Sequence, residues 1–126
     1  MEYTIGKTSE LVGISSYTLR FYEKEGLIPD IKRNKSGIRI YDDNDIFWID
    51  LVRCLRDTGM PIPEIRSIVK LSLEGKETVL ERKEILIQHK EKLLHQLEDI
   101  KQCISKIDKK LDWYDGKRKC CSAKIE

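Results

Sequence analysis

The feature that most constrains this 126-residue chain is an apolar row near its C-terminal end. Leu86, Leu93, Leu97, Ile100, Ile104, Ile107, Leu111 and Tyr114 follow one another at steps of 7, 4, 3, 4, 3, 4 and 3, with Lys90 in the single gap. Alternating steps of three and four mark heptad a and d positions, the seam by which one helix packs along another. No glycine or proline stands between about Thr78 and Asp115, so the spacing predicts one continuous helix, roughly 50 Å long at 1.5 Å per residue. So narrow a stripe on so long a helix needs a matching helix, and the chain contains no second long one. The simplest solution is a second copy of the chain, a homodimer sealed along this seam; the alternative is a helix folded back on its own domain. Spacing leaves parallel and antiparallel pairing both open.

The residues before the seam break into shorter elements. Ile5, Leu11 and Val12 give an apolar face to a helix near 5–12, with Gly13 as its stop. Ser15 or Ser16 then caps a second helix from Tyr17 to about Glu25, ended by Gly26. Two short helices joined by a glycine-containing connection of three or four residues form the helix-turn-helix pattern. Lys35-Ser36-Gly37 is a turn signal, and the following Ile38-Arg39-Ile40-Tyr41 reads as a short strand. A partner strand before the turn would complete a small β wing. Asp42 or Asp43 caps a third helix running to about Asp57, and Pro61-Ile62-Pro63 suits the start of a fourth, from about Pro63 to Leu73, closed by Gly75. The expected fold is therefore mainly α. A winged helix-turn-helix head with linking helices occupies 1–75, a dimerisation helix 76–115, and a basic, cysteine-containing tail 116–126.

Charge matters here by its distribution. The total is only +2, from 24 basic and 22 acidic side chains. Residues 15–41, however, carry 6 basic and 3 acidic side chains, whereas residues 42–75 carry 4 and 7. No apolar run approaches the roughly 20 residues that span a bilayer. Met1-Glu2-Tyr3-Thr4 has no basic stretch leading into an apolar one, so neither membrane insertion nor a signal peptide is expected. Cys54, Cys103, Cys120 and Cys121 are accordingly expected as reduced thiols in the cytoplasm. No constellation of His, Cys and carboxylate and no phosphate-binding glycine loop is present, so neither an enzyme nor a cofactor is expected.

The local positive charge coincides with hydroxyl and aromatic groups. Ser16, Tyr17, Thr18, Arg20 and Tyr22 lie on the second helix, and Arg33, Lys35 and Arg39 surround the wing turn. Arginine and lysine neutralise phosphates, while serine, threonine and tyrosine hydroxyls anchor backbone and base edges. A helix N-terminus adds its dipole toward phosphate. The competing reading is a solvated helix face with Tyr17 and Tyr22 half buried. A dimer favours DNA, because paired helices read a two-fold symmetric site.

The run Thr18-Leu19-Arg20-Phe21-Tyr22-Glu23-Lys24-Glu25-Gly26-Leu27-Ile28 resembles the signature of MerR-family transcription regulators, as does Gly37-Ile38-Arg39-Ile40-Tyr41 before an acidic helix start. The resemblance extends through Arg53 to Gly59 and into the long helix, covering about 115 residues. It implies a winged helix-turn-helix head, a linking helix pair and an antiparallel coiled-coil dimer. It also implies that Arg20 and Tyr22 hold the major-groove helix on the phosphate backbone and that Tyr17 and Thr18 lie at its base-facing end. Arg33, Arg39 and Tyr41 would belong to the wing, and Arg56 would reach backbone from the third helix. One departure is Ile38, where the family usually places an aromatic residue. The family acts with RNA polymerase at promoters whose spacer is too long, bending and untwisting the DNA when an effector shifts the dimer.

The cysteines bear on the effector. Metal-sensing relatives usually place a thiolate at the start of the long helix, where this chain reads Glu77-Thr78-Val79, and two more in a loop after it. Cys120 and Cys121 make an incomplete soft-metal site, and His89 and His95, six residues apart on a helix, face different sides. Leu51-Val52-Arg53-Cys54-Leu55-Arg56 instead resembles the thiol-bearing subgroup that answers aldehydes, electrophiles or nitrosative stress. Cys54 is thus read either as a sensor thiol or as a small buried hydrophobe. Cys103, flanking the seam, is expected to pack. A drug-type sensor is disfavoured, since no effector domain follows the coil in this sequence. The alternative class is a coiled-coil interaction protein that does not bind DNA.

Overall fold

Short polar caps decide where the first helices begin. Thr4 accepts a hydrogen bond from the Lys7 amide, starting α1 (Ile5–Val12), and Ser15 accepts one from the Thr18 amide, starting α2 (Ser16–Lys24). Gly13, with φ of 73°, takes the left-handed conformation that ends α1, and the Ser9 hydroxyl donates to the Ile14 carbonyl across the turn. Helix α3 (Asp43–Asp57) begins with a reciprocal capping box. Asp42 Oδ1 accepts from the Asp45 amide at 2.8 Å, while Asp45 Oδ2 accepts from the Asp42 amide at 3.0 Å. Of the two candidate caps for this helix, Asp42 is the one used. These details come from a computed structural model, which describes residues 1–116.

The strands are short. β1 (Glu2–Tyr3), β2 (Lys32–Arg33) and β3 (Arg39–Asp42) form an antiparallel sheet in the order β1-β3-β2. Arg33 pairs with Arg39 and Lys32 with Ile40, which is the hairpin wing expected around Lys35-Ser36-Gly37. The pairing of Tyr3 with Tyr41 is an addition, since a two-residue strand leaves no periodicity to read. The Tyr3 hydroxyl also donates to Asp43 Oδ1 at 2.7 Å and pins the N-terminus beside the start of α3.

Helix α4 (Ile62–Glu74) starts behind Pro61, with Pro63 in its first turn. A 3-10 turn at Lys76–Thr78 leads into α5 (Val79–Tyr114), 36 residues without interruption. The corner is held by the Thr78 hydroxyl, 2.5 Å from the Leu71 carbonyl and 2.9 Å from that of Gly75, and by Arg82 Nη2 donating to Gly75. Buried side chains of α1, α2, α3 and α4 (Val12, Leu19, Tyr22, Ile49, Val52, Ile65 and Ile68 among them) share one core with Tyr41 of the wing.

The chain divides into two compact units between Leu86 and Ile87, so the first turns of α5 belong to the head. Leu86 is accordingly a correction to the seam. With Ile85 it packs against the head core and serves as a core residue. Farther along, Leu97, Ile100, Ile104, Ile107, Leu111 and Tyr114 are each about half exposed on α5, and Leu93 is less so. Cys103 is exposed. Among the described residues no helix is long and apolar enough to cross a membrane.

Candidate nucleic-acid interface

Helix α2 has two unlike faces. Leu19 and Tyr22 are buried, whereas Tyr17, Arg20, Phe21 and Lys24 point outward and line a shallow groove of about 200 Å³. At the N-terminal end of the helix, Ser15 Oγ and Thr18 Oγ1 lie 3.0 Å apart, and the Thr18 amide donates to Ser15. This fixes Thr18 beside Ser16, both partly exposed.

The wing supplies the second group of cations. Asn34 Oδ1 accepts from the amides of Ser36 and Ile38, the Asn34 amide donates to the Ile38 carbonyl, and Gly37 sits at φ 78°, so the loop is tightly set. Arg33 Nη1 donates to the Gly37 carbonyl at 2.7 Å, and Lys35 stands exposed at the tip. Arg39 lies back from the tip, where its Nε donates to Glu23 Oε1 of α2 at 2.7 Å. That bond raises the Arg39 pKa and ties wing to helix while leaving the Nη edge of the guanidinium for another acceptor. From α4, Arg66 donates to both the backbone carbonyl and the carboxylate of Glu25, just past the end of α2.

Two tyrosines named from the resemblance are placed differently from expectation. Tyr41 is fully buried, and its hydroxyl is sealed from solvent, so it is a core residue of the wing and not a direct contact for DNA. The cause lies in the pleat: in β3 the side chains of Arg39 and Tyr41 point to the same face, where the longer and charged Arg39 reaches the rim and the ring fills the core. Tyr22 is 6% exposed, which places its ring in the core and leaves only a rim at the surface. Burial and Asp57 raise its pKa, and Arg56 and Arg53 of α3 oppose them, so Arg56 stands within electrostatic reach of α2. Arg20 and Arg39 likewise lower the Tyr41 pKa against the larger effect of its burial. Arg20, Arg39 and Glu23 thus all stand within electrostatic reach of one buried ring.

Cys54 is exposed on α3, so the buried-hydrophobe alternative is set aside. Arg53 beside it is engaged with Asp50 at 3.1 Å and Asp57 at 3.9 Å. Among the described residues no three His, Cys, Asp or Glu side chains gather as metal ligands, and Cys120 and Cys121 lie outside the described residues. Sequence reasoning passed over Phe21, although its place three residues before Lys24 and four after Tyr17 put it on the outward face. The Arg39–Glu23 and Arg66–Glu25 links carried no sequence signal, because each joins residues of different elements.

The model of the MerR helix-turn-helix family of regulatory proteins matches residues 3–71. This chain belongs to the MerR family. A second model, of the MerR DNA-binding region, matches residues 48–110. An uncharacterised helix-turn-helix transcriptional regulator of Haemophilus influenzae is 35% identical over 98% of this chain and 92% of its own length. The regulator AdhR of Bacillus subtilis is 43% identical over 60% of this chain, which spans about half of that protein. Among solved structures, HiNmlR, a MerR family regulator lacking the sensor domain and bound to promoter DNA, superimposes with a TM-score of 0.84 at 35% identity, covering 92% of each chain. A putative MerR family regulator from Listeria monocytogenes gives 0.84 at 34% identity, over 90% of this chain and 86% of that one. The chain is thus a DNA-binding transcription regulator of the MerR family, with the family's head, wing and long helix.

Proposed function

We propose that this MerR-family protein binds a two-fold symmetric promoter site as a homodimer and distorts the DNA in response to an effector. The observation that carries this reading is the outward face of α2, where Tyr17, Arg20, Phe21 and Lys24 stand together beside a wing bearing Arg33, Lys35 and Arg39. In this reading α2 enters the major groove. Ser16, Tyr17 and Thr18 face bases and nearby phosphate, Arg20 and Arg56 hold the backbone, and the wing cations hold the flanking phosphates. Tyr22 and Tyr41 act from the core, beneath α2 and the wing. The half-exposed row from Leu97 to Tyr114 supports a second copy as the covering partner, since a solvated helix gains nothing from six apolar residues in heptad register. The promoter-bound relative supports duplex DNA as the ligand, and the family resemblance implies RNA polymerase as the beneficiary of the distortion. Bending and untwisting the spacer costs energy that these contacts offset.

The effector reading is an electrophile sensed at Cys54, supported by the exposure of that thiol on α3. With an aldehyde, the thiolate adds to the carbonyl carbon, forming a C–S bond as the C=O π bond breaks and its electron pair moves to oxygen, which takes a proton from water and leaves hydroxide. Two measurements test the whole. Arg20→Ala and Arg39→Ala combined in one variant should abolish gel shifts of the promoter fragment while sedimentation still reports a dimer; unchanged shifts would favour a coiled-coil interaction protein. A promoter-reporter comparison of wild type, Cys54→Ser and the Cys120→Ser/Cys121→Ser double variant, with aldehydes and soft metals as inducers, should lose the aldehyde response in Cys54→Ser alone. A full aldehyde response in Cys54→Ser sinks the thiol switch. Loss of a metal response in the double variant would favour the soft-metal sensor.

A further inference from the structure

A recognition helix that serves only to hold phosphates needs cations and hydroxyls on its outward face. On α2 two of the four outward residues are aromatic: Tyr17 is 78% exposed and Phe21 38%. They stand one helical turn apart, so their side chains are neighbours on one surface. Arg20 and Lys24, also one turn apart, line the same groove. The surface is therefore an apolar ridge beside a cationic one. Tyr17 carries a hydroxyl and suits several acceptors or donors, whereas the Phe21 ring has no donor or acceptor at all. It is left half open where a solvated helix would place a charge, and neither ring is among the side chains packed on the head core.

Base edges in the major groove offer amino donors, carbonyl and ring-nitrogen acceptors, and one apolar group, the 5-methyl of thymine. A phenyl ring discriminates only by that group. We propose that Phe21, with Tyr17 alongside, is a specificity-determining residue that reads the 5-methyl group of a thymine in each half-site, while Arg20 and Lys24 hold the adjoining phosphates. This rests on the reading of α2 as the major-groove helix, and it assigns to that helix a base preference the cations cannot supply. The phosphate contacts are indifferent to sequence; the ring is not.

The test uses the full chain and a duplex recovered by in vitro selection from a random-sequence library. Each thymine is replaced in turn by deoxyuridine, which removes one methyl group and leaves pairing intact, and affinity is read by fluorescence anisotropy at fixed salt. At one thymine position per half-site the substitution should weaken binding about three- to fivefold, the scale of one buried methyl group, and replacing both symmetric thymines should weaken it by about tenfold or more. Phe21→Ala should bind the thymine and deoxyuridine duplexes alike, and Phe21→Leu, which keeps an apolar tip, should retain part of the preference. Tolerance of deoxyuridine at every position to within twofold overturns the proposal, as does a deoxyuridine penalty that persists unchanged in Phe21→Ala. Either result leaves DNA binding standing, whereas failure of the wild-type chain to enrich any duplex would overturn the major-groove reading itself, and this proposal with it. Circular dichroism of the Phe21 variants checks that α2 remains folded, and the wild-type deoxyuridine scan stands without them.

Discussion

The head and the long helix solve opposite problems with similar residues. In the head the apolar side chains close on one another, with Leu19, Leu27, Tyr41, Ile49 and Val52 having no exposed surface, and cations are engaged across elements, Arg39 to Glu23 and Arg66 to Glu25. On α5 the apolar residues from Leu97 to Tyr114 remain about half open, each between 47% and 58%. A residue such as Ile104 is therefore as exposed here as many polar surface residues are, while Ile49 is sealed. The contrast teaches that one unit closes its own core while the other leaves an apolar row open. On the proposed reading a second copy of the chain covers that row, since knobs at a and d fit holes made by the same pattern.

Breaking the open row should have the largest effect. Ile104→Asp puts a charge in the middle of the seam. It should convert the dimer to monomer in sedimentation experiments and lower DNA affinity by about 100-fold or more, since two linked half-sites become one. The far-ultraviolet signal of the head should persist. If Ile104→Asp remains dimeric, the seam lies elsewhere and the contrast drawn above fails. The next effect belongs to the head's charged surface. Arg20→Ala should weaken binding at least about tenfold and reduce the salt dependence of the affinity by about one counterion per half-site. Oligomeric state should not change.

Two smaller predictions sharpen the picture of a self-contained head. Asp42→Ala removes the side-chain cap of α3 and half of its capping box, and should cost about 1 kcal/mol in denaturant unfolding. DNA affinity should fall only as far as the folded fraction does. The smallest effect concerns Asp43, whose pKa is lowered by the Tyr3 hydroxyl bond first and then by the Met1 ammonium. A carboxylate with a depressed folded pKa contributes stability above its ordinary value and loses it as pH falls through the folded one. A carbon-13 titration should therefore find the Asp43 midpoint below the usual aspartate range, and Tyr3→Phe should return it toward that range. An unshifted midpoint in the wild type would detach β1 from the start of α3.

Much of this fold is legible in the sequence. The helices are marked by residues with local effects: Gly13, Gly26 and Gly75 as stops, Pro61 and Pro63 as a start, Ser15 or Ser16 as a cap. The capping box at Asp42 and Asp45 also lies within one turn. The long helix was marked by a repeat that survives over eight positions. What escaped the sequence was non-local. Tyr3 pairs with Tyr41 across 38 positions of chain, and no two-residue strand announces such a partner. The family resemblance implies Tyr41 as a wing contact, but the alternation of β3 carries its ring into the core. Leu86 obeyed the heptad rhythm and yet packs on the head, because periodicity records which face is apolar and not what covers it.

The 2.7 Å bond between Arg39 and Glu23 has a consequence for the promoter itself. It fastens the hairpin to α2, so on the proposed reading each copy of the chain presents its two DNA-contacting parts at a fixed separation, like the jaws of a calliper locked at one setting. A calliper of that kind cannot adjust to the duplex it meets. Any mismatch between its span and the groove must be taken up by the base-pair steps between the two points, and promoters would then be sorted by the stiffness of bases that no side chain touches.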